Sequence, residues 1–400
     1  MGRPLDIAVA GCGPAGLAAA LMQHRDGHRV TVFDRFEAPR PLGSGLMIQP
    51  TGMAVLDQLG LGDELRTLAA PVDRLYGACS PSGRVVLDVR YRALGANAGC
   101  GFGVHRAALF EVLFAAAQRQ GVPIETGREV EGSDIESGRR WLRLSDGSSA
   151  GPFDLIIDAL GHATPLAAPC GRPLAYGALW ASLDWPLVDS LDDAALEQRY
   201  RQASVMVGVL PIGRTPGRTS PQAAFFWSLR SDRFAAWRQA HIDEWKAQVL
   251  EVWPAVEPML GQIGGHDDLT FARYTHRMLP TPVEPALVHL GDAWRSSSPQ
   301  LGQGANMALL DAYALALSLR TAPDVPDALQ AFVRRRGRHA RLYHLLSAMF
   351  TPVYQSDSRV LPMVRDLLVG PISKLWPATA IQAAMVSGLV GGPLGPLGLG

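Results

Sequence analysis

Apolar runs and polar turns follow one another in a strand, helix, strand order at the start of the chain. Residues 6–10 are a short apolar run, residues 17–24 are rich in Ala and Leu and stop before Gly27, and residues 29–34 contain several β-branched side chains. Short β-branched runs are typical of strands, and an Ala/Leu stretch of this length is typical of a helix. Because parallel strands need a crossover, this order predicts a βαβ unit.

Later runs predict more of the same domain and a second sheet. Apolar residues at helical spacing predict a helix over 107–120, and the runs at 154–159 and 286–290 suit buried strands. Residues 205–210 and 223–229 flank a connection rich in Pro, Gly, Ser, Thr and Arg. That arrangement predicts a hairpin with a long loop. We therefore expect an α/β protein with an inserted, mostly antiparallel sheet.

Composition narrows the class of protein. The 400 residues carry 37 basic and 37 acidic side chains, so we expect two or three globular domains and no nucleic acid partner. The four cysteines are too far apart for a zinc site or a disulfide framework, which favours a reducing cytoplasm. Too few residues precede the first apolar run for a signal peptide, so we expect the protein not to be exported.

A glycine-rich turn lies between the first predicted strand and helix. Residues 11–16, GCGPAG, fit G-x-G-x-x-G, in which the glycines allow a tight turn, close approach of a pyrophosphate and close helix packing. The pyrophosphate would lie at the helix N-terminus. Asp34 ends the second predicted strand 18 residues after Gly16 and would bind ribose hydroxyls. The alternatives are an ordinary tight turn and a merely solvated strand-end carboxylate.

A second motif follows the later buried strand. Residues 291–306, GDAWRSSSPQLGQGAN, lead into an apolar helix predicted for 307–319. With the first fingerprint, this motif resembles that of the FAD-dependent aromatic hydroxylases, single-component flavoprotein monooxygenases built like p-hydroxybenzoate hydroxylase. The segments VHRAAL at 104–109 and LPIG at 210–213 are also similar to this family. The resemblance covers about residues 5 to 340.

The resemblance implies an FAD-binding Rossmann-like domain of the GR2 type, an inserted, mostly antiparallel β-sheet substrate domain and a helical C-terminal region. The implied boundaries are 1–70, 98–170 and 271–330 for the FAD-binding domain, 71–97 and 171–270 for the substrate-binding domain, and 331–400 for a C-terminal helical region with a loose Gly/Pro-rich end.

The resemblance also implies FAD as cofactor and assigns roles to several residues. The backbone amides of 302–306 would meet the negative charge of reduced flavin near N1 and the C2 carbonyl. Asp292 would accept hydrogen bonds from the ribityl chain, and Arg106 would donate to the flavin from the other side. Alternatively, Arg106 is a surface residue at a helix start and Asp292 a helix cap. The full set of expected FAD-binding residues is Gly11, Gly13, Pro14, Ala15, Gly16, Asp34, Arg35, Gly45, Arg106, Gly291, Asp292, Pro299, Gly302, Gly304, Ala305 and Asn306.

Two places depart from the family pattern. Where the family usually has G-A-D-G-x-x-S-x-x-R, linked to both flavin and nicotinamide binding, this chain has Leu160 for the Asp and Ala167 for the Arg. NAD(P)H as the electron donor is therefore left open, and a separate flavin reductase is an alternative source of electrons. In the second motif, Trp294 replaces a small residue and Arg295 a frequent His, so each either points into the cleft or lies on the surface.

The function expected from the resemblance is insertion of one oxygen atom from O2 into a hydrophobic, aromatic or natural-product-like small molecule, through a flavin C4a-hydroperoxide. The cofactor would carry the chemistry, so no dedicated catalytic residue and no metal are expected. The alternatives are a flavin-dependent reductase, a halogenase and a flavin-binding protein without monooxygenase activity. A halogenase would need a catalytic lysine, and neither Lys246 nor Lys374 lies in the corresponding motif.

The carboxyl end is apolar and almost uncharged. From Leu375 onward the chain carries no charged side chain, and the whole stretch 342–390 is rich in Leu, Met, Pro and Trp. Prolines, glycines and polar residues interrupt it, which argues against a membrane-spanning helix. We expect helices that pack over the substrate domain, or alternatively a peripheral membrane contact or a partner surface, since similar apolar tails occur in related enzymes of quinone biosynthesis.

Overall fold

The computed structural model describes residues 3–38, 44–95, 99–186, 190–369 and 375–399, with the backbone alone for 368 and 369. The strands are β1 Asp6–Ala10, β2 Arg29–Phe33, β3 Gly45–Ile48, β4 Ala70–Val72, β5 Arg74–Cys79, β6 Val85–Arg90, β7 Gly101–His105, β8 Ile124–Glu125, β9 Val130–Glu136, β10 Arg139–Leu144, β11 Ser149–Phe153, β12 Leu155–Asp158, β13 Arg172–Pro173, β14 Tyr176–Asp184, β15 Ala195–Arg201, β16 Val205–Gly213, β17 Gln222–Arg230, β18 Thr270–Ala272, β19 Thr275–Met278, β20 Val283–Glu284, β21 Leu287–His289 and β22 Arg295–Ser296. The helices are α1 Pro14–Arg25, α2 Pro50–Gln58, α3 Gly62–Leu68, α4 Arg106–Arg119, α5 Phe234–Gln239, α6 Ile242–Val252, α7 Glu257–Leu260, α8 Gly304–Thr321, α9 Val325–Tyr354, α10 Val360–Val364 and α11 Ala378–Val386.

The first sheet has six strands in the order β20-β21-β12-β1-β2-β8. All neighbours are parallel except β20 and β21, and β1 lies between β2 and β12 with Ala8 beside Thr31 and Ile156. Helix α1 packs against α8 and α4, and its Ala and Leu side chains from 17 to 21 are fully buried in the main core. The predicted βαβ unit and the two later buried strands are confirmed.

The second sheet has seven strands in the order β18-β14-β17-β16-β15-β5-β6. Its neighbours are antiparallel except β15 and β5. The predicted hairpin is β16 and β17, which are longer than expected because pairing continues from Val207 opposite Trp227 to Gly213 opposite Gln222. This hairpin packs against α6 through a cluster rich in tryptophan. The expected α/β class with an antiparallel sheet and a helical C-terminal region is confirmed; the domain boundaries stay a prediction.

A three-stranded sheet, β3-β7-β4, connects the two larger sheets. Strand β7 comes so close to β16 that a β-carbon on Gly103 would lie 1.8 Å from the carbonyl oxygen of Pro211. Only a residue without a side chain allows this approach. The contact places the start of α4, directly after β7, at the junction between the two large sheets.

The C-terminal region consists of the long helix α9 followed by α10 and α11. The phenol of Tyr343 on α9 donates to the Met385 carbonyl on α11 over 3.0 Å. The Gly/Pro-rich end was expected to be loose, but Leu397 is 2% exposed and belongs to the main core. That expectation is therefore corrected, because apolar side chains between the glycines find buried positions. No helix in the described part of the chain is long and apolar enough to span a bilayer.

Candidate functional site

The glycine-rich turn is built on close backbone contacts. A β-carbon on Gly11, whose φ is +106°, would lie 2.6 Å from the Ala159 carbonyl oxygen, and one on Gly16 would lie 1.9 Å from the Gly11 carbonyl oxygen. A β-carbon on Gly13 would meet nothing within 4 Å. The turn therefore packs tightly on one side and is open on the other, where Pro14 begins α1 and the helix N-terminus can bind an anion.

Asp34 follows β2 and holds the turn to the strand. Its Oδ2 accepts the Cys12 backbone N–H over 2.9 Å, and its Oδ1 accepts the Phe36 N–H over 2.9 Å. A carboxylate has about four acceptor positions, so two remain for ribose hydroxyls. The adjacent Arg35 is exposed, with its guanidinium 4.9 Å from the Phe36 ring. Asp34 is thus half-buried and bonded, which corrects the alternative of a merely solvated side chain.

The two sequence motifs meet in space. A β-carbon on Gly291 would lie 3.4 Å from Cβ of Ala15 and 3.2 Å from Cβ of Ala308, so the second motif starts against the first turn of α1. Gly304 begins α8, and a β-carbon there would meet nothing within 4 Å. The glycine-rich turn and the N-terminus of α8 therefore lie near one another, both with an open side.

The Asn306 side chain fixes the loop before α8. Its Nδ2 donates to the carbonyls of Met47 and Gly302 over 3.0 Å each, and its Oδ1 accepts the Gln49 N–H over 2.8 Å. The side chain is buried and acts as a structural link to the end of β3. Because the first helical bond of α8 runs from Met307 N–H, the earlier backbone amides have no partner within the helix. The Gly302 N–H already donates to the Pro299 carbonyl over 2.9 Å. The expected role of the 302–306 amides is therefore compatible with this geometry only from residue 303 onward.

Three other residues that the sequence predicts to bind FAD, Gly45, Pro299 and Ala305, lie near the starts of α4 and α8. Gly45 begins β3 and pairs with His105, the residue before Arg106. Pro299 is exposed at the start of the short helical turn Pro299–Leu301 that leads to Gly302, and Ala305 is half-buried in the first turn of α8.

Asp292 and Arg106 are charged groups of the region between the glycine-rich turn and the starts of α4 and α8, which we call the cleft. Asp292 follows β21, and Arg106 begins α4. Water reaches the Asp292 carboxylate, but the protein packed around it raises its pKa by desolvation, while the charges of Arg106, Arg295 and His162 partly lower that pKa again. No described residue donates a hydrogen bond to this carboxylate. Asp292 thus retains acceptor capacity toward a ligand, and it does not cap a helix through its side chain.

Tyr274 adds a polar group that sequence reasoning did not place at the cofactor. It lies between β18 and β19, and burial raises the pKa of its phenol to about 12, against the lowering effects of Trp180 and Arg106. Its Oη accepts the Trp180 Nε1–H over 2.9 Å, so its own hydrogen is free to donate. The sequence offered little indication that Tyr274 belongs to the site, because an isolated tyrosine is more often a core residue.

Sequence reasoning also missed a buried Asp–His pair next to the glycine-rich turn. Asp158 ends β12 and His289 lies beside it on β21, with Nδ1 of the histidine 2.6 Å from Oδ2 of the carboxylate. Asp158 also accepts from the Thr164 hydroxyl over 2.7 Å and from the Leu160 N–H over 3.0 Å. Adjacent strand ends explain the pairing, but only the sheet order, which one sequence does not supply, shows which strands are neighbours.

Leu160 and Ala167 are packing residues in this structure. Leu160 packs against the cluster around Phe33 and Ile156, and Ala167 packs against the main core. The loop between them is held by Asp158 and Thr164. The positions where the family has an acid and an arginine thus contribute apolar contacts, and the loop keeps a defined conformation without those charges.

Trp294 and Arg295 are buried, so the surface alternative is wrong for both, while the Arg295 charge still acts on the Asp292 carboxylate. Trp294 is 1% exposed and packs against Phe332 at 5.8 Å between ring centres. Arg295 donates to Oδ2 of Asp311 on α8 over 2.7 Å, and Arg336 on α9 donates to Oδ1 of the same carboxylate over 2.8 Å. Both motif substitutions therefore serve the packing of α8 against α9.

These groups fit FAD. The open side of Gly13 and the N-termini of α1 and α8 offer backbone N–H groups to an anion, and Asp34 retains acceptor capacity. Within the described ranges, the Asp292 carboxylate is also left to accept from a ligand.

Comparison with known proteins identifies the class. A family model described as an FAD binding domain matches residues 4–141. The chain is 26% identical to the FAD-dependent monooxygenase notI' of Aspergillus versicolor, over 84% of this chain and 83% of that protein. It is 24% identical to 3-hydroxybenzoate 6-hydroxylase 1 of Aquipseudomonas alcaligenes, over 91% of this chain and 93% of that protein. These comparisons support an FAD-dependent monooxygenase of the aromatic hydroxylase type.

A solved structure shares the fold of this chain. The crystal structure of Klebsiella pneumoniae HpxO complexed with FAD and uric acid matches it with a TM-score of 0.80 at 19% identity, covering 97% of this chain and 98% of that one. FAD as cofactor is supported by these comparisons. The individual FAD-binding residues stay a prediction. Lys246 lies on α6 and donates to the Ile263 carbonyl, and Lys374 lies outside the described residues.

Proposed function

We propose that this monooxygenase inserts one oxygen atom of O2 into a hydrophobic, planar aromatic small molecule. The observation that carries the proposal is the Asp292 carboxylate, which accepts no hydrogen bond from the described residues, feels the charge of Arg106 and directly follows Gly291, where the two motifs meet. One oxygen atom of O2 enters a C–H bond of the substrate, and the other leaves as water after taking up two electrons and two protons. The oxygen-activation route expected above is part of this proposal.

The residues of this chain would bind and orient the cofactor. Bound FAD supplies the electrons that activate O2. Asp292 would accept ribityl hydroxyls, Asp34 would accept ribose hydroxyls, and the amides at the start of α8 would face the negative pyrimidine edge of reduced flavin. Arg106, at the start of α4, would donate from the opposite side.

The substrate would lie on the side of the cleft that the large antiparallel sheet covers. The Tyr274 phenol, oriented by Trp180, is a donor for an oxygen or nitrogen of the substrate. Leu210 and Ile212 of β16 and Met47 of β3 form an apolar cluster near the junction of the sheets, which favours a hydrophobic ring. The relatives named for 3-hydroxybenzoate and uric acid support a planar aromatic substrate.

Two further parts of the proposal concern partners. Electrons would come from a separate flavin reductase, or from NAD(P)H bound weakly and used only when substrate is present, because Leu160 and Ala167 supply no polar group. The C-terminal region would make a peripheral membrane contact, which would bring the enzyme to lipophilic substrates.

Isotope labelling tests the oxygenation. The FAD-bound protein, reduced with dithionite without oxygen, would be mixed with 18O2 and a panel of hydroxylated benzoates, pyridines and purines. We expect at least one product to gain a single 18O atom by mass spectrometry, and the same reaction in H2 18O with unlabelled O2 to give no labelled product.

The Tyr274→Phe variant, which keeps the ring, is the matched control for substrate orientation. We expect it to bind FAD normally and to form less labelled product relative to H2O2. Oxidation of the reduced protein that yields H2O2 alone with every compound would contradict the aromatic substrate. A product that gains two hydrogens without oxygen would instead support an alkene reductase.

A further inference from the structure

The outer face of α9 carries three exposed arginines at helical spacing. Arg334, Arg338 and Arg341 are exposed, and residues three or four apart lie on the same side of a helix. We call these three residues the arginine ridge. In the ranges that the structure describes, no acidic side chain forms an ion pair with any of them. The ridge therefore presents uncompensated positive charge to solvent.

The same face of α9 becomes apolar further along the helix. Leu345 and Met349 continue the spacing of the arginines and are 56% and 59% exposed. Val360, Met363 and Leu367, in and after α10, and Trp376, before α11, are also exposed. These six residues are the C-terminal apolar surface. Of the ten exposed large hydrophobic side chains among the described residues, nine lie between residues 345 and 381, so the exposure is concentrated here.

The segment that carries this surface is firmly attached on its inner side. The Arg365 guanidinium is buried, lies 5.0 Å from the Tyr200 ring and 5.4 Å from the Tyr354 ring, and donates to Asp366 over 2.7 Å. Helix α10 packs against α9, and α11 packs against β6. The apolar side chains thus point outward from a segment that is anchored on its inner side through the buried Arg365 guanidinium, which differs from an ordinary surface helix with its apolar face buried.

Charge distinguishes the possible occupants of this surface. Residues 334–400 contain eight basic and two acidic side chains, although the whole chain has no net charge. Both acids are engaged, Asp357 with Arg230 and Tyr176, and Asp366 with Arg365. A second copy of this chain would bring positive charge against positive charge. An anionic lipid surface complements both the arginines and the apolar side chains.

We propose that the arginine ridge and the C-terminal apolar surface bind an anionic phospholipid membrane, with the apolar side chains at the boundary between headgroups and acyl chains. The inference deepens the peripheral contact that is part of the proposed function, and it names the residues and the lipid charge. It is independent of the oxygen chemistry, because FAD content and oxygenation are measured separately from lipid binding.

Vesicle sedimentation tests the proposal with the FAD-bound full chain. We expect the protein to sediment with phosphatidylcholine vesicles that contain a third of phosphatidylglycerol, and much less with phosphatidylcholine alone. Each arginine of the ridge replaced by Ala should weaken binding to anionic vesicles about fivefold. The Leu345→Glu/Met349→Glu double variant should remain in the supernatant. Matched controls are Ile135→Glu on β9, which is 48% exposed, and Arg25→Ala at the end of α1, both of which should bind like the wild type.

Each other outcome contradicts the proposal. Wild-type protein that stays in the supernatant with both vesicles would overturn it. Equal binding of the wild type and the double variant would place the contact elsewhere. A wild-type dimer in light scattering that becomes monomeric in the double variant, without vesicle binding, would show that a second copy covers the surface. The FAD absorbance of each variant confirms that it is folded.

Discussion

At the scale of single residues, Asp292 is expected to bind FAD and to lower the stability of the FAD-free protein. The pKa of its carboxyl is raised by desolvation in the cleft, so the ionised form is disfavoured there until a ligand donates hydrogen bonds to it. We expect Asp292→Asn to weaken FAD binding by about 1.5–3 kcal/mol, the range for a hydrogen bond to a charged group. Fluorescence titration of FAD into the FAD-free protein measures this change.

The same raised pKa predicts the direction in which Asp292→Asn changes the stability of the FAD-free protein. A carboxyl whose pKa is higher in the folded than in the unfolded protein destabilises the fold as pH rises through the folded pKa. At neutral pH, FAD-free Asp292→Asn should therefore have a higher melting temperature than FAD-free wild type, while Asp193→Asn, on an exposed loop, should not. Weaker FAD binding together with a lower melting temperature would indicate that Asp292 is structural.

Residue types and spacing could predict part of the candidate site, because the two motifs are short and local. Gly11, Asp34 and Asp292 follow strands β1, β2 and β21 as the pattern predicts, while their roles toward FAD stay a prediction. Trp294 and Arg295 could not be placed, since their burial depends on Asp311 and Arg336, which come from two other helices. A side chain whose partner is distant in sequence shows no local pattern.

At the scale of secondary-structure elements, α9 is attached to the C-terminal loop through a neutral histidine. Nδ1 of His339 accepts from Arg336 over 2.8 Å, and its Nε2–H donates to the Gly388 carbonyl over 3.0 Å. Desolvation, together with the nearby Arg336 charge, lowers the pKa of His339 to about 3. Protonation would remove the acceptor and place a second positive charge beside the arginine.

This pKa predicts a pH dependence of stability. Between the unfolded value of 6.5 and about 3, the unfolded chain holds a proton that the folded protein lacks, so the free energy of unfolding falls as the pH falls. At about 1.4 kcal/mol per pH unit, the wild type should lose about 2 kcal/mol more than His339→Gln between pH 6.5 and pH 5. Urea unfolding measures the difference. Equal slopes for the two proteins, or the same effect in His24→Gln on α1, would contradict the assignment.

The elements that could be predicted are those with a strong local pattern. Strand β1, helix α1 and the β16/β17 hairpin follow from apolar runs bounded by glycine and polar turns. The glycine-rich end could not be predicted, because its composition indicates a loose segment, while Leu397 packs into a core whose other members come from distant segments such as α8 and α9.

At the scale of the whole molecule, the parallel and antiparallel sheets meet at β3 and β7, and the cleft lies at that junction. This arrangement follows from the contact of β7 with β16. The sequence predicted both sheets, but their relative position depends on backbone contacts between segments more than 100 residues apart.

The source of electrons is also a property of the whole molecule, because it depends on what the loop after β12 presents to the cleft. Leu160 and Ala167 pack into apolar clusters where the family pattern has an acid and an arginine. We expect NADPH or NADH alone to reduce the bound FAD slowly in anaerobic stopped-flow experiments, and a free flavin reductase, or the presence of substrate, to restore reduction. The Leu160→Asp/Ala167→Arg variant, which restores the family pair, should be reduced faster, and Leu160→Ala should not. Bleaching of wild-type FAD by NADPH or NADH alone at rates above about 10 s⁻¹, a typical turnover rate, would show that the altered loop has kept its nicotinamide function.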